Sequence, residues 1–238
     1  LPKLVNCSPY DNKYSHYLKN RDDVRKNQLN NVVYSHDRLL SFVVDAFADI
    51  VNSLSLDEYD VSLRETQTYE IIKDVADMKS EIGVLYTNHF NKDVIFKIIN
   101  ENNLVWHELT TVTPHVFISS SHPLASKEKI TQKELLDYPY LSFEQGDYNS
   151  FYFSEEIFST EIKKKNIRVR DRASLFNLLV GANGYTVCSG IINPKLNGDN
   201  IISIPLAKEG TMNIGYITHK NRIPSLLGNQ FILYLKKH

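Results

Sequence analysis

The side chains best suited to chemistry gather in five short polar turns, each following an apolar run. They are Ser35-His36-Asp37-Arg38, Glu65-Thr66-Gln67-Thr68, Tyr86-Thr87-Asn88, Glu144-Gln145-Gly146-Asp147 and Ser189-Gly190. Hydroxyls and an imidazole beside helix starts suit the binding of a small carboxylate or similar anion, because the first backbone N–H groups of a helix have no partner within it. They do not suit covalent catalysis. GxSxG, GxGxxG, Walker and HExxH patterns are missing, and Cys188-Ser189-Gly190 lacks the glycine pattern of a nucleophile elbow. Glu155-Glu156 opens an expected helix, where the helix dipole alone accounts for it. No enzymatic activity is expected. The histidines have no metal-ligand spacing, so neither a metal nor a cofactor is expected. Taken singly, each Ser, Thr or Asp reads as well as a helix cap or turn residue.

The elements around these turns follow from periodicity. Asn31 to Tyr34 reads as a strand. Leu40, Val43, Val44, Phe47, Ile50, Val51 and Leu54 then form one apolar stripe, which predicts a helix over Leu39–Leu54 capped by Asp37 or Ser35. Tyr59–Arg64 alternates as a strand does. A helix over Tyr69–Met78, a strand over Ile82–Tyr86 and a short apolar-periodic segment over Val94–Asn100 follow. Strands are expected at Leu104–Leu109 and His115–Ser120. Thr131 and Glu134 form a capping box for a short helix that Pro139 ends, ahead of a strand at Tyr140–Phe143. Further on come a helix over Ser154–Lys165, a strand at Ile167–Val169 and a helix over Leu175–Ala182 with a left-handed cap at Asn183-Gly184. Strands at Tyr185–Cys188, Ile201–Leu206 and Asn213–His219 and a helix over Leu226–Leu235 complete the chain. Alternating strands and helices imply a mostly parallel sheet covered by helices, with ligands at the carboxyl ends of its strands. His36 is the sharpest single candidate, its imidazole placed to donate to an anion; the plainer alternative is a surface histidine. Arg168, Val169 and Arg170 could place a cation near the cleft, but alternation along a strand favours arginines that point outward.

Composition narrows the function classes. The 238 residues carry a net charge of −1, so electrostatics do not mark a nucleic-acid binder. Hydrophobic residues make up 42% and charged residues 23%, as in a soluble globular protein. Cys7 and Cys188 form no disulfide framework, which favours a reducing compartment. No apolar run approaches the roughly 18 residues that span a membrane.

His122-Pro123-Leu124-Ala125, the short capped helix ending Leu135-Leu136-Asp137-Tyr138-Pro139 and the following strand together resemble the effector-binding domain of LysR-type transcriptional regulators. Val169 to Ile191 is similar to the family's middle signature of a strand, a helix ending near "LV.AG.G" and a strand. Arg64 to Tyr86 and Ile214 to Lys236 are similar to two further family segments. The resemblance covers residues 31–238. Ser189-Gly190 stands where the family often has proline.

The resemblance implies an α/β fold of two Rossmann-like subdomains joined by two crossover strands, like the type 2 periplasmic binding proteins. Residues 31–112 plus 206–238 would form subdomain I, residues 113–205 subdomain II, and residues 1–30 a leader or linker-helix remnant. A small-molecule effector, suited to be an anion, would bind in the cleft between them. Its ligands would be Ser35, His36, Thr66, Gln67, Thr68 and Thr87 from one side and Glu144, Gln145, Gly146 and Ser189 from the other. Replacing Thr66 and Thr68 together by alanine is expected to abolish effector binding. The resemblance further implies a cytoplasmic homodimer or tetramer that touches no membrane. The family's winged helix-turn-helix has no counterpart in these residues, so DNA would be reached only through a domain missing from this chain. A solute-binding protein of a transport system, with the same fold, is the alternative.

Overall fold

The computed structural model describes residues 30–38, 40–54, 59–144, 153, 163–194, 198–208 and 210–237. The expected leader, apart from Asn30, and most of the expected helix over Ser154–Lys165 lie outside the described residues. The last three residues of that segment, 163–165, are described and are not helical.

One five-stranded sheet is built from β1 (Asn30–Asp37), β2 (Asp60–Thr66), β3 (Ile82–Thr87), β4 (Leu104–Val112) and β10 (Met212–His219). Its order is β2-β1-β3-β10-β4. β1 runs parallel to β2 and β3, whereas β10 is antiparallel to β3 and β4. Helices α1 (Phe42–Ser53), α2 (Thr68–Ala76) and α3 (Lys92–Glu101) connect these strands, and α6 (Leu226–Leu235) ends the chain. β3 lies inside the sheet and is buried at every position, which explains its unbroken apolar run; β2, at the edge, is exposed at four of its seven positions.

The second subdomain holds β5 (His115–Ser119), α4 (Gln132–Leu135), β6 (Tyr140–Phe143), β7 (Asn166–Val169), α5 (Arg172–Gly181), β8 (Thr186–Cys188) and β9 (Ile201–Pro205). β5 pairs antiparallel with β8 and β9, and β6 pairs parallel with β7. A parallel bridge between Tyr140 and Tyr185 joins the two groups. The chain crosses from the first sheet to the second between β4 and β5, and returns between β9 and β10. This is the two-subdomain α/β fold expected of the chain.

Two helix starts differ from the sequence expectation. β1 runs on through Asp37 because its ladder with β2 continues to the Asp37–Thr66 pair, so Ser35 and His36 lie in a strand and not in a turn. Neither Ser35 nor Asp37 then caps α1. Ser41 stands at the cap position, and its hydroxyl instead donates to the Ile191 carbonyl at 2.9 Å, reaching the second subdomain. α5 begins three residues earlier than its apolar spacing suggests. Asp171 is its N-cap, accepting from the Ser174 amide at 2.7 Å and the Ser174 hydroxyl at 2.9 Å.

Other local readings hold. The Glu134 carboxylate accepts from the Thr131 amide at 2.8 Å and from its hydroxyl at 2.7 Å, closing the capping box. Asn183 takes the left-handed conformation, with φ of 46°. Gly190, with φ of 82°, has no room for a side chain, because a Cβ would lie 2.5 Å from the His115 ring.

One apolar cluster unites the two subdomains. Tyr34, Val84 and Tyr86 of the first sheet pack in the same cluster as Val116, Ile118, Tyr140 and Val187 of the second subdomain, together with Leu227 and Phe231 of α6. Tyr34 stacks on Phe231 at 4.4 Å between ring centroids, with Phe47 edge-on to both. The start of α6 is fixed from outside the helix. The Glu81 carboxylate accepts from the Ser225 backbone N–H and, at 2.8 Å, from its hydroxyl, while the Ser225 oxygen also accepts from the Gly228 amide at 3.0 Å.

Candidate functional site

Parallel pairing brings the carboxyl ends of β1 and β2 to one edge of the first sheet, and the carboxyl ends of β6 and β7 to one edge of the second. These edges meet. Arg38, immediately after β1, sends its guanidinium across the cleft. One nitrogen, Nη1, donates to the Arg170 carbonyl at 2.8 Å, and Nη2 donates to the Glu144 carbonyl, also at 2.8 Å. The guanidinium lies over the Phe143 ring at 4.3 Å. Arg172 answers from the other side: its Nε donates to the Arg38 carbonyl at 3.0 Å, and its Nη2 lies 3.0 Å from Glu65 Oε2. Both arginines are largely buried, which strengthens charge-assisted contacts of this kind. Tyr69 and Phe153 also meet edge-on at 5.3 Å.

An open recess of about 460 Å³ lies at this junction, lined by Arg38, Glu65, Arg170, Asp171, Arg172, Ala173 and Phe176. That volume suits a small organic ligand. Three arginines face two acids, and the acids are already engaged: Asp171 caps α5 and Glu65 pairs with Arg172. At the exposed rim, Arg170 Nε donates to Glu144 Oε2 at 2.6 Å. The contact to Glu144 holds the Arg170 guanidinium above its ordinary pKa, and the Asp171 carboxyl is lowered by its cap bonds to Ser174.

Desolvation is the largest influence both on Glu65, which lines the recess with its side chain 30% exposed, and on His36 behind it. It pushes the Glu65 carboxyl up, while Arg172 and Arg38 pull it back and Asp171 adds to the rise. His36 is almost completely buried, and burial, followed by the charge of Arg172, takes its imidazole down to about 3. It is therefore neutral near pH 7. His36 Nδ1 lies 2.9 Å from the Asp37 carbonyl and, as the protonated nitrogen, donates to it; Nε2 lies 4.0 Å from Glu65 Oε2. A buried neutral imidazole engaged with its own neighbour replaces the exposed anion donor anticipated from the sequence, because residue 36 belongs to the strand.

The remaining sequence candidates differ in where they lie. Gln67 and Glu144 meet across the cleft, the Gln67 amide donating to the Glu144 carbonyl at 3.4 Å. Thr66 and Thr68 lie beside the cleft with their hydroxyls engaged in their own subdomain: Thr66 donates to Glu70 at 3.4 Å and Thr68 to Asp37 at 3.2 Å. Thr87 and Ser189 are buried and do not line the recess; the Thr87 hydroxyl has no partner among the described residues, and the Ser189 oxygen accepts from the Ile191 amide at 3.4 Å. The Ser35 backbone pairs with Arg64 and Gly83. Gln145 and Gly146 lie outside the described residues.

Sequence reasoning did not choose Arg38, Glu65 or Arg172 as ligands, and it preferred an outward Arg170 over one that places a cation near the cleft. Arg38 and Glu65 stood inside turns already marked, beside the Ser and Thr residues preferred there. Only the pairing of the two subdomains makes them central. Among the described residues, no group of three or more His, Cys, Asp or Glu could hold a metal ion, and no helix is long and apolar enough to cross a membrane.

The chain matches the sequence profile of the LysR substrate binding domain over residues 57–238. No curated protein matches it by sequence at a significant level. Among solved structures, the effector binding domain of QuiR in complex with shikimate is similar at 16% identity and a TM-score of 0.57, covering 87% of this chain and 95% of that one. HinK, a LysR family transcriptional regulator from Pseudomonas aeruginosa, is similar at 11% identity and a TM-score of 0.57, covering 100% and 83%. The reduced form of the OxyR regulatory domain from Pseudomonas aeruginosa is similar at 9% identity and a TM-score of 0.62, covering 89% and 100%. At these identities the likeness carries the fold.

Proposed function

The chain belongs to the LysR substrate binding domain family and is the effector-sensing domain of a LysR-type transcriptional regulator; on that footing we propose that its effector is a small anion held in the recess between the subdomains. The observation that carries the reading is the convergence of Arg38, Arg170 and Arg172 on one recess at facing strand ends. Guanidinium groups present paired donors that fit carboxylates and phosphates. Residues 31–112 plus 206–238 form one side of the cleft and residues 113–205 the other. Binding shifts the protein toward whichever relative orientation of the two holds the anion better.

Gln67 and Glu144 flank the anion at the cleft mouth, and Ser35, His36, Thr66, Thr68, Thr87 and Ser189 support the walls. Gln145 and Gly146, which follow Glu144 in the sequence, complete the proposed set. The protein acts in the cytoplasm as a dimer or tetramer, and DNA is read by a winged helix-turn-helix part distinct from this domain. The family match favours this regulatory role over solute transport.

A thermal-shift titration with small carboxylates, shikimate among them, tests the reading. At least one carboxylate should raise the melting temperature by several degrees, with the shift lost in Arg170→Ala. Arg170 is 86% exposed at its side chain, so this substitution leaves the fold intact. It is a sharper probe than the Thr66 and Thr68 double substitution, because Thr68 also holds Asp37. A full shift surviving in Arg170→Ala would place the ligand elsewhere.

A further inference from the structure

We propose that Glu65 is a built-in counter-anion of the cleft: its carboxylate holds Arg172 where the effector's anionic group docks, and so decides which anions the domain admits. The inference rests on the anion reading given above and adds how that site is regulated.

The geometry separates the three arginines by what a ligand would have to displace. Arg38 is spent on two backbone carbonyls in the opposite subdomain. Arg170 reaches a carboxylate at the exposed rim. Arg172 alone combines a largely buried guanidinium, at 14% exposure, with a carboxylate that also lines the recess. The Glu65 carboxylate thus does for Arg172 what an incoming anion would do.

Glu65 is also poorly housed. Its backbone pairs with His36 in the parallel ladder, and the imidazole facing it at 4.0 Å is neutral. The cations near it are Arg172 and Arg38, and Asp171 opposes its charge. Its side chain is 30% exposed, and the covering of the remainder acts against the ionised form. A carboxylate so placed is displaced more readily than one with several donors of its own. An incoming anion still has to outcompete it, which favours polyvalent anions over simple monocarboxylates.

The test uses sodium sulfate as probe, titrated calorimetrically into the whole chain at constant ionic strength. Glu65→Gln preserves the shape and removes the charge. It should bind sulfate about 10-fold more tightly than the unaltered chain, a coupling within the usual range between interacting sites. The gain should vanish when Arg172→Gln is added. Where Glu65→Gln does not fold, Glu65→Asp serves, since it withdraws the charge by one methylene and should give a smaller gain of the same sign. Sulfate binding that depends on Arg172 but is no tighter in the Glu65 variants overturns the counter-anion and leaves the anion site standing. No sulfate binding in any variant overturns the counter-anion, while the anion site itself stands or falls by the carboxylate titration with Arg170→Ala.

Discussion

Arg38→Ala is expected to lower the unfolding free energy by about 3 kcal/mol, from the loss of two charge-assisted hydrogen bonds. Arg38 is 5% exposed, and both acceptors are backbone carbonyls on the opposite subdomain. Alanine leaves the Glu144 and Arg170 carbonyls without this donor and removes the cation over Phe143. Urea denaturation measures the loss as a lower midpoint. Small-angle scattering should show an increased radius of gyration, since the bonds removed are two of those that tie the two strand-end edges together. Arg38→Lys should recover only part of the stability, because an ammonium cannot present the planar fork that reaches both carbonyls. A loss below about 1 kcal/mol with unchanged scattering would mean that water replaces the guanidinium without cost.

The second large effect lies away from the cleft. Phe231→Ala should destabilise the domain by roughly 3–5 kcal/mol, the range for deleting a buried aromatic ring. The Phe231 side chain is completely buried, stacked on Tyr34 and met edge-on by Phe47. Its removal opens a cavity among α1, β1 and α6. An unchanged denaturant slope with a lower midpoint would show that the fold survives as a weaker version of itself. Phe231→Leu should lose less, because most of the volume stays filled.

Much of the architecture was legible because it is written in short-range patterns. The stripe from Leu40 to Leu54 marked α1, the apolar run Ile82 to Tyr86 marked a strand, and Thr131 with Glu134 marked a short capped helix. Each signal needs only neighbours within a few residues. The site was less legible because its contacts are remote in sequence. Arg38 lies 106 residues from Glu144 and 132 from Arg170, and no periodicity relates them. His36 was misplaced for a related reason. Ser-His-Asp-Arg has the composition of a turn, but pairing with a strand some 30 residues further on holds it extended as far as Asp37. Arg170 looked like a solvent-facing residue because its exposure is real, yet it stands at the rim where the two edges meet.

The apolar cluster that runs through both subdomains has a consequence for cooperativity. Side chains from both sheets and from α6 share one set of contacts. Each half also holds a cluster of its own, around Leu141, Leu175 and Leu179 in the second and around Ile71, Leu85 and Ile95 in the first, so melting either half strips the other of the shared part of its core. The shared cluster couples the two halves in unfolding, so stabilisation supplied by an anion at the cleft is passed on to the packing around Phe231 as well as to Arg172.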